Sequence, residues 1–387
     1  MKVLWLASWY PHEYEPTNGD FVQRHAKAVS QLMRIDVIHV VQAGKNFNTL
    51  SKVELDNDGD LREFIHYFSF KKTGIDWLDK VRYTKTYLSY YTKIIRQYIK
   101  ETGKPDLIHV HVPMKAGIIT LKFLKHSNIP YIVSEHSSLY LKTAKDNFYT
   151  RSFYFRYQTK RIFQYASLVT NVSAAIGSVL EEMFHLKNVR TIPNVVNTNF
   201  FNFKPGEPNK VFRWLHVSTM HPLKNVDKII HAFNEFPSIK NEWELIICGP
   251  VNQQYEQLVE ELHLQSKIKF TGEIKYEQVA AEMQKADAFV MFSKHENFPC
   301  VVIEALCCGL PVVASNVGGI PEVVDETNGI LVEPANINAL QNAITAMMQD
   351  ADKYIRENIS ASATSRYNYQ TIAKQFIAAY NDVLMLC

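Results

Sequence analysis

The sequence predicts an α/β protein with two doubly wound domains, each built on a parallel β-sheet. Short apolar runs alternate with longer amphipathic segments along a chain of 387 residues. Most of the apolar runs are continuous, as expected for parallel strands that are buried on both faces. A chain of this length is too long for one ordinary domain. The repeated strand–helix pattern therefore indicates two domains facing across a cleft, where such folds bind ligands.

The individual elements follow from these runs. Strands are predicted in the first half at Val3–Ala7, Ile35–Val41, Leu107–His111, Tyr131–Ser134, Leu168–Val172 and Val189–Ile192. Strands are predicted in the second half at Arg213–Val217, Trp243–Ile247, Ile268–Thr271, Ala288–Phe292, Pro311–Ala314 and Gly329–Val332. Helical periodicity marks Phe21–Leu32, Asn225–Phe236, Gln253–Leu262, Tyr276–Ala286 and Ile337–Met348. The polar Pro- and Gly-containing segment Asn202–Lys210 is the predicted linker.

Charge is distributed unequally between the two halves. The chain is 47% hydrophobic and 21% charged, a globular balance that excludes disorder, collagen and coiled coil. Residues 1–200 hold 27 Lys and Arg against 17 Asp and Glu, whereas the remaining residues hold 15 against 22. The basic half is therefore expected to face an anionic partner.

The sequence also suggests where the protein is found. The apolar start Val3–Ala7 is too short for the core of a signal peptide, and no window approaches the roughly 20 apolar residues of a membrane span. Five cysteines without a C-x-x-C motif argue against a disulfide framework and a zinc site. We expect a cytoplasmic protein.

Two glutamates of the second half have positions suited to binding. Glu296 follows a predicted buried strand, and Glu304 lies in a helix that begins near Pro299. A helix N-terminus favours a phosphate, and a carboxylate one turn inside it can accept hydrogen bonds from both hydroxyls of a ribose. A carboxylate in the preceding loop is placed for a sugar beyond the diphosphate. The alternative is an ordinary solvated loop and helix glutamate, since this spacing also arises by chance.

The glutamates belong to a longer motif. The sequence from Glu296 reads E-N-F-P-C-V-V-I-E-A-L-C-C-G-L-P-V-V-A-S, and it continues with Gly318–Glu322 and Asn328-Gly329. This motif resembles the donor-binding core of glycosyltransferase family 4, whose members are retaining, nucleotide-sugar-dependent, metal-independent enzymes of the GT-B fold. The resemblance extends to Gly19–Val22 with His25, His109–His111, Ser134–His136, Ile192–Asn197, Cys248–Pro250, Phe270–Gly272 and the helix of Tyr380. It therefore covers nearly the whole chain.

The resemblance implies a division of labour between domains. Residues 1–202 are the expected acceptor-binding domain and residues 203–365 the donor-binding domain, with a C-terminal helix at 366–387 crossing back onto the first. The implied catalytic residues are His136, Glu296 and Lys224. The implied donor-binding residues are Gly19, Ser218, Thr219, Lys224, Gly249, Ile274, Glu296, Asn297, Phe298, Pro299, Cys300, Val301 and Glu304. The implied acceptor-binding residues are His109, His111 and His136.

Specific roles follow for the main residues. By resemblance, Glu304 binds the ribose hydroxyls, Glu296 binds the donor sugar, and Lys224 binds the diphosphate as a point charge. His136 would lie against the donor sugar and the reaction centre. The alternatives are a solvent-facing lysine at a helix start and a structural histidine at a strand end.

The chain departs from the family at one phosphate contact. Members of the family usually have Gly-Arg five and six residues before the lysine, where this chain has Ser218 and Thr219. Hydrogen bonds from Ser218, Thr219 or His221, or a cation of the first domain such as Arg24, are alternative replacements. The loss is also compatible with lower donor affinity, another donor preference or an inactive homologue.

The resemblance implies a reaction with retention. No residue offers itself as a covalent nucleophile. The resemblance implies instead that the donor's own phosphate oxygen helps to remove the acceptor proton as it departs. The sequence holds no acidic cluster suggesting a metal site, so we expect neither metal nor cofactor. The expected substrates are a nucleotide-sugar, most commonly a UDP-sugar, and a saccharide or lipid-linked acceptor for a surface polysaccharide or glycolipid.

Basic residues mix with aromatic residues in two stretches of the first half. Lys71–Lys104 has nine cations against three acids, with Tyr83, Tyr87, Tyr90, Tyr91 and Tyr98 interleaved. Tyr140–Tyr165 has six cations, including Lys142 and Lys145, against Asp146, with seven aromatic residues between its two terminal tyrosines. Such helices suit the inner face of an anionic membrane, whereas a nucleic-acid partner is not expected. The alternative is aromatic residues that pack the core and cations that are merely solvated.

Other functions are compatible with the same fold. A GT-B nucleotide-sugar epimerase or a phosphorylase is a competing enzyme class, although phosphorylases are usually far longer. A non-catalytic sugar-nucleotide-binding homologue is a third alternative, favoured only by Ser218 and Thr219.

Overall fold

The structure is a computed structural model that describes residues 1–43, 51–141, 147–206, 209–234 and 242–385. The chain forms two compact units. The first runs from Met1 to Pro193 and resumes at Tyr369, and the second is Asn194–Asn368. Parts of the sequence predictions lie outside the described residues, namely Lys142, Lys145, Asp146, Glu207, Pro208, Phe236 and Cys387.

The first unit is built on an eight-stranded sheet. Its strands are β1 (Val3–Ala7), β2 (Ile35–Gln42), β3 (Ser51–Asp58), β4 (Leu61–Phe68), β5 (Leu107–His111), β6 (Tyr131–Glu135), β7 (Leu168–Asn171) and β8 (Val189–Thr191). Their order is β3-β4-β2-β1-β5-β6-β7-β8, and each pairing is parallel except β3 with β4. Its helices begin with α1 (Asp20–Ser30), α2 (Asp76–Thr102), α3 (Ala116–Ser127), α4 (Phe153–Gln164) and α5 (Ala174–Phe184).

The second unit is built on a six-stranded parallel sheet. Its strands are β9 (Phe212–Val217), β10 (Trp243–Cys248), β11 (Ile268–Gly272), β12 (Ala288–Met291), β13 (Val312–Ser315) and β14 (Gly329–Val332), in the order β11-β10-β9-β12-β13-β14. Its helices are α6 (Val226–Asn234), α7 (Gln253–Glu261), α8 (Tyr276–Lys285), α9 (Cys300–Cys307), α10 (Ile337–Gln349) and α11 (Arg356–Tyr367). These two α/β units confirm the predicted fold class.

The C-terminal helix α12 (Tyr369–Met385) belongs to the first unit, where it packs against α1. Tyr380 of α12 lies 2.8 Å from Nδ1 of His109, and the ring of Phe376 lies 5.1 Å from that of His25. The chain thus resumes the first unit at Tyr369, three residues after the predicted start of the returning segment at residue 366.

The predicted domain boundary differs from the one in the structure. The second unit begins at Asn194, so the described part of the predicted linker, 202–206 with 209–210, lies within that unit. Gln284 of α8 donates to the carbonyl oxygen of Phe200 over 2.9 Å, and Asn209 donates to the carbonyl oxygen of Lys285 over 2.9 Å. Pro and Gly correctly mark a loop here. They do not mark the domain boundary, because composition indicates local conformation and not the unit against which a loop packs.

The hairpin β3–β4 at the edge of the first sheet is an element that the sequence analysis missed. β4 pairs with β2 in parallel and with β3 antiparallel. Glu63 of β4 is buried and accepts hydrogen bonds from Tyr10 and Gln23, over 2.6 and 2.8 Å. A buried carboxylate with partners far along the chain breaks the apolar run that would have marked this strand.

Candidate active site

Strand order brings two loops of the second unit together. β9 lies between β10 and β12, so the chain winds outward in opposite directions on either side of the β9–β12 pair. In open α/β sheets such a switch point, at the carboxyl ends of the strands, is where ligands bind. The backbone N–H of Lys294 donates to Leu223 over 2.8 Å, and Asn225 donates to the carbonyl oxygen of Phe292 over 3.0 Å. The loops following β9 and β12 are therefore joined by hydrogen bonds.

Lys224 and Glu296 meet where these loops join. The Nζ atom of Lys224 lies 2.6 Å from Oε1 of Glu296, and the two side chains are 21% and 10% exposed. Lys224 ends a 3₁₀ turn, Pro222–Lys224, and Asn225 follows it in a left-handed conformation. The solvent-facing alternative for Lys224 is thus wrong. The structure brings together the groups that the resemblance implied for the diphosphate and the donor sugar.

Glu304 is a buried carboxylate in the helix that follows. α9 begins at Cys300, directly after Pro299, and the side chain of Glu304 is almost completely buried, at 2% exposure. Its Oε1 accepts a hydrogen bond from the hydroxyl of Tyr276 over 2.9 Å. An ionised carboxylate only accepts hydrogen bonds, so a buried one is suited to a ligand that presents hydroxyl groups.

Tyr276 is a candidate site residue that was not predicted from the sequence. It is the first residue of α8, and its ring packs 4.7 Å from that of Phe201. Half-buried Ile274, an expected donor-binding residue, lies two residues earlier in the same β11–α8 connection. A tyrosine at a helix start has no distinctive sequence signal, because its contact with Glu304 spans 28 residues of sequence.

Hydrogen bonds from other parts of the second unit fix the segment between Glu296 and Glu304. The backbone N–H of Gly319 donates to the carbonyl oxygen of Asn297 over 2.7 Å, and Asn194 donates to that of Phe298 over 2.7 Å. Gly318 has a φ of 56°, and a Cβ atom placed on it would lie 1.8 Å from the carbonyl oxygen of Glu296.

This segment ends at the N-terminus of α9. Pro299 caps the helix without a side-chain hydrogen bond, and Cys300 and Val301 at its start are half-buried. The first backbone N–H groups of a helix have no intrahelical acceptor, so they are suited to a diphosphate.

The loop after β9 contains the candidates for the missing arginine. The Ser218 hydroxyl accepts from the backbone N–H of Met220 over 3.1 Å and contacts Nε2 of His216 over 2.9 Å, so it is used within the loop. Thr219 and His221 are exposed. Nδ1 of His221 accepts from the backbone N–H of Leu223 over 3.2 Å, which leaves Nε2 as the ring donor.

Two further positions bear on that replacement. Gly249 has a φ of 153°, and a Cβ atom there would lie 2.1 Å from the Ser218 carbonyl oxygen, so only glycine fits. Arg24 belongs to the first unit, where it pairs with Asp20 over 3.1 Å.

The remaining predicted residues lie in the first unit, in a cluster of histidines. His136 directly follows β6 and is half-buried, with its ring 4.8 Å from Phe21. Its Nε2 lies 3.4 Å from Nδ1 of His111. Buried Gly19 precedes α1 in a left-handed conformation. Burial lowers the pKa of His136 well below its usual value and that of His25 to about 4, so these rings are neutral at pH 7.

The predicted acceptor-binding residues His109 and His111 lie buried inside the first unit. Both residues are 0% exposed, and their ring centroids lie 4.0 Å apart with the ring planes tilted by 39°. The ring nitrogens of His109 contact the hydroxyls of Tyr380 and Ser134, over 2.8 and 2.7 Å. Neither ring is open to solvent in this structure. His109 packs against Phe376 and Tyr380 of α12, and His111 packs against Trp5 of β1.

Glu135, at the end of β6, is a second residue near the predicted site for which the sequence predicted no role. It is buried, and its Oε1 accepts hydrogen bonds from the backbone N–H groups of His136 and Ser137 over 2.7 and 2.6 Å. Burial raises the pKa of Glu135 to about 7 despite these bonds. The carboxyl group therefore fixes the backbone on which His136 is carried.

Within the described ranges, no group of three or more His, Cys, Asp or Glu side chains is arranged to hold a metal ion. No helix in the described part of the chain is both long and apolar enough to cross a bilayer.

Two family models and a relative together match most of the chain. Residues 197–366 match the family described as glycosyl transferases group 1, and residues 53–200 match glycosyltransferase family 4. An uncharacterized glycosyltransferase of Methanocaldococcus jannaschii is 31% identical over 364 residues, which cover 92% of each chain.

Two further proteins extend the comparison. A Bacillus subtilis glycosyltransferase named for teichuronic acid biosynthesis, TuaC, is 23% identical over 98% of this chain and 96% of its own. The solved structure of Anabaena HepE in complex with UDP has a TM-score of 0.72 at 20% identity, covering 99% of this chain and 100% of that chain. Its fold is GT-B, and the two parallel-sheet units described above have the same architecture. The chain belongs to glycosyltransferase family 4 and is a group 1 glycosyltransferase of the GT-B fold.

Proposed function

We propose that this glycosyltransferase moves a sugar, with retention of configuration, from a UDP-sugar to a saccharide or lipid-linked saccharide in the synthesis of a surface polysaccharide or glycolipid. The observation that carries the proposal is the Lys224–Glu296 pair at the β9–β12 switch point, followed by buried Glu304 in α9. The UDP in the HepE structure and the role for which TuaC is named support the donor and the pathway.

In this proposal Glu304 and Tyr276 hold the ribose, because Glu304 can accept hydrogen bonds from the two ribose hydroxyls. The N-terminus of α9 and Lys224 hold the diphosphate, and Glu296 binds the donor sugar. The Lys224–Glu296 ion pair must then be exchanged, since both side chains are largely buried and each needs a new partner. The diphosphate takes the place of Glu296 against Lys224, and sugar hydroxyls take the place of Lys224 against Glu296.

The transfer step needs no metal in this account. The bond between the anomeric carbon and the diphosphate oxygen breaks while the acceptor oxygen bonds to the same face of that carbon. The acceptor proton passes to the departing phosphate oxygen, and Lys224 with the amides of α9 stabilises the charge of the nucleoside diphosphate. His136 keeps its proposed place at the reaction centre, where a neutral ring supplies hydrogen bonds.

Turnover tests this proposal directly. A thermal-shift screen of nucleotide-sugars identifies the donor, because a ligand that binds only the folded state raises its apparent stability. Proton NMR of the product formed from that donor then reports the anomeric configuration through its coupling constant. We expect stabilisation by a UDP-sugar and a retained configuration. An inverted product, or no stabilisation by any nucleotide-sugar, would contradict the proposal.

The proposal includes association with the inner face of an anionic membrane through the basic first half of the chain. The unequal distribution of charge between the halves supports it.

A further inference from the structure

The first unit carries a groove outside the site described above. Its volume is about 820 Å³. The buried rings of Tyr140, Phe148 and Phe184 contribute to its lining, with ring centroids 5.3 to 5.8 Å apart. Phe153 and Tyr157 of α4 also line it and stack on each other 6.1 Å apart. The groove is thus apolar and aromatic.

The aromatic residues at this groove are exposed to an unusual degree. Phe153 is 77% exposed, Tyr149 is 52% and Tyr157 is 49%. The other aromatic and basic stretch behaves differently, because Tyr87 and Tyr91 of α2 are buried in the core. The core-packing alternative from the sequence therefore holds for these two tyrosines, and also for Tyr140 and Phe148 at the base of the groove. It does not hold for Tyr149, Phe153 and Tyr157. A contiguous exposed apolar surface of this kind marks an interaction site.

The charge beside the groove is mostly positive. Arg156 and Lys160 line it, and Arg161 of the same helix lies with its guanidinium 5.5 Å from the ring centre of Tyr157. α4 contains no acidic residue, and Glu182 of α5 is the acid among the lining residues. Among the described residues, neither Arg156 nor Lys160 forms an ion pair. Aromatic rings and unpaired cations together match the interface of an anionic bilayer, where rings sit at headgroup level and cations contact lipid phosphates.

We propose that this groove docks on an anionic phospholipid bilayer, with Phe153 and Tyr157 at the headgroup level and Arg156 and Lys160 against lipid phosphates. A second copy of the chain fits less well, because an isologous contact would bring the cations of α4 against themselves. The inference rests on the proposed function in one respect: a lipid-linked acceptor would explain why this protein binds a membrane.

Vesicle co-sedimentation of the full chain, without donor or acceptor, tests the surface. The probes are phosphatidylcholine vesicles with and without phosphatidylglycerol. We expect the wild-type chain to bind only the anionic vesicles. In the double variant Arg156→Gln/Lys160→Gln, the affinity for these vesicles should fall about fivefold for each cation removed. The matched control Lys93→Gln/Lys100→Gln removes the same charge from α2 and should bind within about twofold of wild type.

A second pair of variants distinguishes binding through the groove from nonspecific binding by exposed aromatic residues. Phe153→Ser should weaken binding about fivefold to tenfold. Tyr165→Ser removes an exposed ring just beyond the other end of α4, roughly 18 Å along the helix, and should not weaken binding. These side chains are all exposed or half-buried, so melting temperatures should stay close to wild type.

Each remaining outcome overturns the proposal. Equal binding to neutral vesicles, equal loss in the matched controls, or dimerisation abolished by Phe153→Ser without vesicle binding would do so. The nucleotide-sugar affinity of the same variants, measured in solution, distinguishes failure of membrane docking from failure of the proposed function. A chain that binds vesicles through the groove but no nucleotide-sugar would leave docking intact and contradict the proposed function.

Discussion

Replacing Glu304 with alanine is expected to weaken nucleotide-sugar binding by at least about 100-fold. The proposed ribose contacts are two hydrogen bonds to an ionised carboxylate, each contributing about 1.5–3 kcal/mol, and 1.4 kcal/mol corresponds to tenfold. The loss of affinity should be large because Glu304 is 2% exposed, so in the alanine variant water cannot easily take over the hydrogen bonds to the ribose hydroxyls. Isothermal titration calorimetry with the donor measures it.

Two controls accompany Glu304→Ala. Glu304→Gln keeps the volume of the side chain but removes the charge, and it should also bind poorly. Tyr276→Phe removes only the hydroxyl that bonds to Glu304 over 2.9 Å and should lose about tenfold. Unfolding curves must show that both glutamate variants are folded. Unchanged affinity in folded Glu304→Ala would remove the ribose assignment.

Replacing Gly318 with alanine is expected to lower the transfer rate by about 100-fold, with a much smaller loss of affinity for the free nucleoside diphosphate. The new Cβ atom would lie 1.8 Å from the carbonyl oxygen of Glu296, and φ is 56°. The loop bearing Glu296 must therefore shift, and a misplacement of about 1 Å at a reaction centre costs roughly 100-fold. Steady-state kinetics and calorimetry, taken together, measure the two effects.

Gly206 supplies the matched control for Gly318. It lies in the same unit, and no atom lies within 4 Å of a Cβ atom placed on it. Gly206→Ala should transfer sugar at the wild-type rate. Wild-type turnover in Gly318→Ala would show that the position of Glu296 does not limit the reaction.

The strands were the most predictable part of the fold. Runs such as Val3–Ala7 and Leu107–His111 were placed correctly because central parallel strands are buried on both faces and carry a continuous apolar signal. The hairpin β3–β4 lacked that signal, since Glu63 is stabilised by Tyr10 and Gln23 of another part of the chain.

The residues of the candidate site could be named from the sequence, but the contacts between them could not. Glu296 and Glu304 were identified from a local motif. The contact of Glu296 with Lys224 depends on β9 lying beside β12, which no local pattern specifies. Tyr276 was missed for the same reason. The sequence does not distinguish a histidine that faces a ligand from one packed inside its unit, as buried His109 is against Tyr380 of α12, because both follow the same apolar strand.

The central claim is that the second unit holds the donor between the loop after β9 and the segment from Glu296 to Glu304. Amide hydrogen exchange of the full chain, with and without a saturating nucleoside diphosphate whose binding calorimetry has established, tests it most directly. We expect slower exchange at 218–224, around Tyr276 and across 296–304. Protection confined to the first unit, or to other segments of the second, would contradict it.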